Sequence, residues 1–251
     1  RKHKVIAVAP GSIADVLSIS AGDMLVDIDG AEIKDILDYR YKIYAAFLEL
    51  GLDAAYGEYY IAHVVYDGGE DIGLAFEGIM SNKRGCCNKC IFCFVDQLPQ
   101  DVRPSLLFKD DDWRLSFLSG NYITLTNMSD SELDRVIEQH ISPLYISVHT
   151  MDMQLRSYML DAPKGAQLEQ QLSRLCAGGI DFHCQIVLVR DVNDGEYLSQ
   201  TIRQLPALRP HALDCAIVPI GLPAHREGLC ELRSFDKQSA AAVLDPSLIP
   251  I

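Results

Sequence analysis

The sequence lacks any run of about 18 apolar residues, so we expect no membrane-spanning helix. No signal-peptide pattern is evident either. Basic residues are few: 22 lysines and arginines stand against 35 aspartates and glutamates, for a net charge of −13. Such an acidic surface repels phosphate backbones, which disfavours nonspecific nucleic-acid binding. Eight cysteines in a chain of this kind suit a reducing cytoplasm better than a secreted disulfide framework.

Half of the cysteines fall in one short segment, residues 85–94. Cys86, Cys90 and Cys93 have the spacing C-x3-C-x2-C, and the aromatic Phe92 directly precedes the third cysteine. Three thiolates at this spacing can hold three irons of a cubane 4Fe-4S cluster and leave the fourth iron without a protein ligand. That iron can bind an exogenous molecule, which distinguishes a cluster that does chemistry from one that only carries electrons.

Other interpretations of this segment compete with the three-cysteine cluster. Cys87, Cys90 and Cys93 would begin a bacterial ferredoxin run, but its fourth cysteine would fall at position 97, which is Gln97. Structural zinc needs four ligands, usually as two separated pairs. The other cysteines are scattered singly, at Cys176, Cys184, Cys215 and Cys230. Free cysteines in a loop are the remaining alternative, and four within eight residues argue against it.

The cysteine segment and its flanks resemble radical S-adenosylmethionine (SAM) enzymes, in which C-x3-C-x-aromatic-C binds a 4Fe-4S cluster and SAM occupies the open iron. The similarity extends over residues 88–99, 109–118, 121–127 and 143–149. The chain resembles most specifically an uncharacterised bacterial family of radical SAM proteins. Its members begin with a PDZ-like domain and end in a domain of unknown function. We expect this chain to lack that last domain.

The resemblance implies a function. Cys86, Cys90 and Cys93 would hold a 4Fe-4S cluster, and an electron donor such as a flavodoxin or ferredoxin would reduce it. Reductive cleavage of SAM would then give a 5′-deoxyadenosyl radical that abstracts hydrogen from a substrate the sequence does not name. The alternative is a non-catalytic 4Fe-4S scaffold or redox sensor whose PDZ-like domain recruits a partner. An RNA-modifying methylthiotransferase would need a second cluster, for which no second cysteine set exists.

Residues 1–77 are predicted to form a PDZ-like α+β domain. The motifs P-G-S-x-A at 10–14 and G-D-x-L at 22–25, and the hairpin signal Asp29-Gly30, carry this resemblance. Strands are predicted at 5–8, 24–28 and 59–66, with a turn at 67–69. A helix is predicted over 33–50, with Ile33, Leu37, Tyr44 and Phe47 packed on the sheet and Arg40 within the apolar stripe. The segment 73–76, G-L-A-F, matches a peptide-binding PDZ loop only if the fold is circularly permuted, and a plain strand is the simpler interpretation.

Residues 78–251 alternate apolar strands with helices, which predicts an α/β fold with a parallel sheet. The predicted strands are 122–126, 144–148, 183–189 and 213–218, and the predicted helices are 129–139, 167–177 and 196–204. A short helix from residue 240 precedes Pro246 and Pro250. The family resemblance implies a partial (β/α) barrel of the radical SAM type, with ligands at the carboxyl ends of the strands.

Residues in or just after those strands are the candidate SAM contacts. Thr126 and Asn127 occupy the place where related proteins carry a glutamate-containing turn for the SAM amino group, and residues 119–121 are an alternative. The other candidates are Ser147, His149, Gln185 and Pro219, the last as part of a backbone wall against adenine. Internal hydrogen bonds are the competing interpretation for each polar side chain. The acidic run at 110–112 is more typical of a solvated loop.

Overall fold

The computed structural model describes residues 2–66, 71–77, 83–99 and 101–244. The chain divides into two compact units, Arg1–Lys83 and Arg84–Ile251. The predicted domain boundary between 77 and 78 adjoins residues 78–82, which lie outside the described residues. The predicted turn at 67–69 and the two prolines, Pro246 and Pro250, lie outside them as well.

The first unit is built on an antiparallel sheet. Its strands are β1 (His3–Val8), β2 (Met24–Ile28), β3 (Ala31–Glu32), β4 (Phe47–Asp53), β5 (Tyr59–Val65) and β6 (Leu74–Phe76). They pair in the order β5-β4-β2-β1-β6, and β3 pairs with β2. Two short helices, α1 (Ile13–Val16) and α2 (Ile36–Lys42), complete the unit.

Local signals in this unit act as the sequence predicts. The Ser12 side chain accepts a hydrogen bond from the Asp15 backbone N–H and begins α1. Asp29 and Gly30 both have positive φ, at 53° and 71°, and join β2 to β3 as a two-residue hairpin. That conformation is the turn which matches the right-handed twist of paired strands.

The predicted helix over 33–50 is wrong. The helix ends at Lys42, and Phe47–Asp53 is a central strand paired with β2 and β5. Leu48, Leu50 and Leu52 are fully buried, and their spacing of two is that of a strand with one face on the core. The apolar residues from Ile33 to Leu48 are spaced as in a helix, which suggests a longer helix than the structure has. From Leu48 onwards, burial instead alternates with the period of a strand.

The packing face predicted for that helix is also wrong in part. Ile33 and Leu37 are buried, whereas Tyr44 and Phe47 are 72% and 57% exposed. Arg40, expected to lie within the apolar stripe, is exposed, and its neighbour Tyr39 takes the buried place beside Phe76.

The second unit contains a parallel sheet. Its strands β7 (Leu144–Ser147), β8 (Phe182–Leu188) and β9 (Ala212–Pro219) pair in that order. The predicted strand at 122–126 is reduced to one parallel bridge between Ile123 and Ile146, because Leu125 turns out of the strand with φ 63°. The fold is thus mixed α/β, with parallel pairing in this unit and antiparallel pairing in the other.

Six α-helices accompany this sheet among the described residues: α3 (Trp113–Ser119), α4 (Asp130–Glu138), α5 (Met153–Leu160), α6 (Leu168–Ala177), α7 (Gly195–Gln204) and α8 (Lys237–Val243). The sequence predicts α4, α6 and α7 to within about two residues, and it misses α3 and α5. Ser129 and Glu132 form the predicted capping box of α4. Within the described parts of the chain, no helix is long and apolar enough to cross a membrane.

The two faces of β8 differ, and this difference positions the candidate site. Ile186 and Leu188 are buried and pack on Leu198 of α7. His183 and Gln185 lie on the opposite, half-buried face. His183 is hydrogen-bonded to Asp214 of β9, with 2.9 Å between its Nδ1 and the carboxylate oxygen. Its sequence neighbour Cys184 lies on the other, buried face of the strand.

Candidate cluster and cofactor site

Backbone hydrogen bonds hold the cysteine segment at several points. The Cys86 N–H donates to the Lys109 carbonyl at 2.7 Å, beside an antiparallel bridge between Gly85 and Asp110. On the two sides of Cys90, the N–H groups of Lys89 and Ile91 donate to the last carbonyls of α5, at 3.2 and 3.0 Å. The segment is therefore fixed to α5 at its middle cysteine.

Phe92 and Gln97 fix the part of the segment around the third cysteine. The Phe92 ring is buried against Met159 and Leu160, and its centroid lies 4.7 Å from that of His149. Gln97, where a ferredoxin would have its fourth cysteine, is 1% exposed and donates to the Cys93 carbonyl at 3.2 Å. The aromatic residue of the motif thus packs the segment onto the second unit's core.

Cys86, Cys90 and Cys93 are all half-buried. Burial, together with the neighbouring Cys86 and Cys93, raises the pKa of Cys90 to about 12. Burial likewise raises the pKa of Cys86 to about 11, and it raises that of Cys93. These directions describe metal-free thiols, because a coordinating metal deprotonates a thiol outright.

Backbone N–H groups face two of the three cysteine sulfurs. The Asn88 backbone N–H points at the Cys86 sulfur, and those of Val95 and Asp96 point at the Cys93 sulfur. Hydrogen bonds to cysteine sulfurs are among the features that tune iron–sulfur clusters. Among the described residues, no three His, Cys, Asp or Glu side chains are arranged to hold a single metal ion.

A buried polar network joins the cysteine segment to residues 124–127. The Asn88 amide donates to the Thr124 hydroxyl at 3.0 Å and accepts from the Thr126 hydroxyl at 2.9 Å. Asn88, Thr124 and Thr126 are 3%, 9% and 2% exposed. Thr126 therefore lies next to the cysteine segment.

The acidic run at 110–112 is not a solvated loop. Asp111 is 5% exposed and accepts hydrogen bonds from the Thr124 N–H and hydroxyl, both at 2.6 Å, and from the Asn127 amide at 2.9 Å. Burial raises the pKa of Asp111, and the hydrogen bonds from Thr124 oppose that rise. Asp112 is also buried, and it caps α3 while bonded to Arg114.

Asn127 bonds to several parts of the site. The Cys87 thiol donates to its side-chain oxygen, and Arg84, paired with Glu132, donates to its backbone carbonyl at 2.7 Å. Its own amide reaches Asp111. Thr126-Asn127-Met128 itself carries no carboxylate, and Asp111 brings one into contact with it.

The other predicted residues lie along the sheet. Ser147 and Gln185 are paired in register across β7 and β8. His149 is 3% exposed with φ 64°, and its Nδ1 accepts from the Val187 N–H at 3.2 Å. Burial, followed by the charge of Arg156, lowers the pKa of His149 to about 3.

Two predicted places stand apart from this network. Pro219 is exposed at the end of β9, in register with Leu188, and has no hydrogen bond to the other candidates in the described structure. In the alternative segment 119–121, Gly120 ends α3 in the left-handed conformation and the Asn121 amide donates to Asp110 at 2.9 Å.

Sequence reasoning misses two fully buried polar residues. Arg156 donates to four backbone carbonyls, and the Asn193 amide donates to the carbonyls of His149 at 2.8 Å and Val187 at 3.0 Å. An arginine on a short helix and an asparagine in a turn are typical of solvent-facing positions. Only the tertiary structure indicates their burial.

Comparison with known proteins identifies the family. The family described as a radical SAM-like domain matches residues 66–214. The chain belongs to the radical SAM family. Membership implies an iron–sulfur cluster, SAM and a reductant. The matched span of this radical SAM protein contains the cysteine segment and every candidate contact except Pro219.

Two solved structures resemble this radical SAM protein. One is a domain of pyruvate-formate lyase-activating enzyme from Bacteroides vulgatus ATCC 8482, with 17% identity and a TM-score of 0.38, covering 51% of this chain and 73% of that one. The other is a radical SAM methyltransferase from Sphaerobacter thermophilus, with 12% identity and a TM-score of 0.37, covering 94% and 77%. Comparison with curated proteins gives no match.

Proposed function

We propose that this protein binds a 4Fe-4S cluster through Cys86, Cys90 and Cys93 and cleaves SAM reductively at the fourth iron. When bound, the cluster and SAM supply an electron and a 5′-deoxyadenosyl radical that abstracts hydrogen from a substrate. The observation that carries this proposal is the cysteine segment with its C-x3-C-x2-C spacing, which Asn88 joins to the buried Thr126 through a hydrogen bond.

In this proposal the network binds the polar end of SAM. The carboxylate of Asp111 and the oxygen of Asn127 attract the ammonium group, and the Thr126 hydroxyl helps to orient it. A buried carboxylate gains more from a cation than an exposed one does, because little water screens the interaction. The role that a glutamate takes in related turns thus passes to Asp111, which lies about fifteen residues earlier in the chain.

Residues on and just after β7, β8 and β9 bind the rest of SAM. Ser147 and Gln185 offer polar groups at neighbouring positions on β7 and β8, and Pro219 provides backbone against adenine. His149 stays neutral at physiological pH, and its Nδ1 accepts a hydrogen bond, which leaves the ring proton on Nε2 as a donor. Phe92 packs against this ring and excludes water from the cluster side.

The domain assignment belongs to the same proposal. Residues 78–251 form a partial β/α barrel around the sheet β7-β8-β9, and residues 1–77 form a PDZ-like domain in which β6 corresponds to the G-L-A-F segment. A flavodoxin or ferredoxin is the proposed electron donor, and the cytoplasm is the proposed location, in keeping with eight free cysteines.

Anaerobic reconstitution tests the proposal. The purified chain should bind about four iron and about four sulfide, and SAM should change the electron paramagnetic resonance spectrum of the reduced cluster. The matched control is Cys230→Ser, an exposed cysteine outside the segment, which should leave both results unchanged. Binding of iron without sulfide, or a complete cluster whose spectrum does not change when SAM is added, would contradict the proposal.

A further inference from the structure

Arg156 is a buried cation at the centre of the second unit. It lies on α5, has no exposed surface, and donates to the carbonyls of Thr124 and Ser147 at 2.8 Å, Val148 at 2.9 Å and Gly165 at 3.0 Å. Ser147 ends β7 and Val148 follows it directly, and the Thr124 carbonyl belongs to the segment that carries Thr126. One side chain therefore ties together the backbone around the candidate SAM site.

The charge of Arg156 is not neutralised by direct contact. Among the described residues, no carboxylate forms an ion pair with it. Burial lowers the pKa of Arg156 to about 10, and the negative charges of Asp111 and then Cys90 oppose that change. The guanidinium is consequently protonated at neutral pH. A buried charge without a paired ion is costly and needs a stabilising environment.

The helix that carries Arg156 also holds the cysteine segment. One turn further along α5, the carbonyls of Met159 and Leu160 accept the hydrogen bonds from Ile91 and Lys89 that flank Cys90. Gly165, another Arg156 acceptor, lies so close to Ser157 that an added Cβ would come within 3.0 Å of its backbone. Arg156 and the residues that flank the middle cysteine are thus fixed to the same helix.

We propose that Arg156 is a positioning residue that fixes the backbone around the SAM site and places a permanent positive charge beside the cluster, which raises the cluster's reduction potential. This rests on the proposed function. Reduction adds an electron to the cluster, and a fixed cation in a poorly screened interior stabilises the reduced state. Asp111, a buried acidic group next to Thr124, acts in the opposite direction.

Redox titration of the reconstituted cluster without SAM tests this inference. Arg156→Gln should shift the midpoint potential to more negative values, and Arg156→Lys, which keeps the charge, should stay close to the wild type. Asp111→Asn should shift the potential to more positive values. Arg203→Gln removes an exposed arginine on α7 and should leave the potential unchanged.

The outcomes separate this inference from the proposed function. A wild-type chain that binds neither iron nor sulfide would contradict the proposed function itself. A wild-type cluster with equal shifts in Arg156→Gln and Arg156→Lys, or with no shift in Arg156→Gln, would overturn the role of the charge. If circular dichroism shows that Arg156→Gln does not fold, the other two variants decide. We expect Asp111→Asn to shift the midpoint potential to more positive values and Arg156→Lys to leave it unchanged. A shift of the potential to more negative values in Asp111→Asn overturns the inference.

Discussion

The Thr126 hydroxyl donates to the Asn88 side-chain oxygen at 2.9 Å across 38 residues of sequence. Asn88 lies between the first and second cysteines of the proposed cluster, and Thr126 lies where the resemblance predicts the SAM amino group. Both residues are almost completely buried. This hydrogen bond therefore fixes the proposed SAM contact against the proposed cluster-binding segment in the folded chain.

Replacement of single cysteines tests which register of the segment binds iron. Cys86→Ser should abolish cluster binding, because it removes one of three ligands. Cys87→Ser should leave iron and sulfide content nearly unchanged, because the exposed Cys87 thiol bonds to Asn127. Iron and sulfide analysis after anaerobic reconstitution measures both. The reverse pattern would establish the ferredoxin-like register and remove the argument for an open iron.

The link between Asn88 and Thr126 predicts an effect on SAM affinity. Thr126→Val keeps the side-chain shape but leaves the buried Asn88 oxygen without its donor, at a cost of roughly 1–3 kcal/mol. We expect the dissociation constant for SAM to rise about tenfold while the cluster content stays the same.

Equilibrium dialysis against the reconstituted protein measures this effect. Thr201→Val is the matched control, since Thr201 is equally buried but its hydroxyl bonds within α7 and to Met151. Equal weakening of SAM binding in both variants would mean that loss of stability, rather than loss of this contact, explains the result.

The sequence predicts those parts of the candidate site whose burial follows from the pattern of neighbouring residues. The cysteine spacing and the apolar runs of β7, β8 and β9 are local signals, and the structure has strands where they predict them. Asp111 and Arg156 carry charge, and a charged residue in a short segment indicates a solvent-facing position. Their burial depends on carbonyls and amides that come from distant parts of the chain.

The error at 33–50 has a related cause. Apolar residues that begin at helical spacing continue directly into Leu48, Leu50 and Leu52, whose period of two belongs to a strand. The pairing of β4 between β2 and β5 decides the conformation, and that pairing is a long-range interaction. Periodicity alone does not locate the point at which one pattern replaces the other.

The buried His149 predicts a pH dependence of stability. Its pKa is about 3 in the folded chain and 6.5 when unperturbed, so between these values the unfolded state binds more protons. The contribution of the neutral His149 to the free energy of unfolding is complete above pH about 6.5 and is lost progressively as the pH falls towards about 3. The free energy of unfolding then changes by at most about 1.4 kcal/mol per pH unit.

Urea unfolding of the metal-free chain between pH about 5 and about 7 measures this slope. His149→Gln should flatten the dependence, whereas His63→Gln, which replaces an exposed histidine of β5, should not. A slope that is identical in wild type and His149→Gln would show that His149 is not buried in the neutral form.

Release of 5′-deoxyadenosine tests the central claim most directly. The anaerobically reconstituted chain is reduced with dithionite in the presence of SAM, and the products are separated by liquid chromatography and identified by mass. We expect 5′-deoxyadenosine and methionine from the wild type and from Cys87→Ser, and neither from Cys86→Ser. A wild-type protein with a fully loaded cluster that forms no SAM-derived product and shows no SAM-dependent spectral change would contradict the account and favour a structural or redox-sensing cluster.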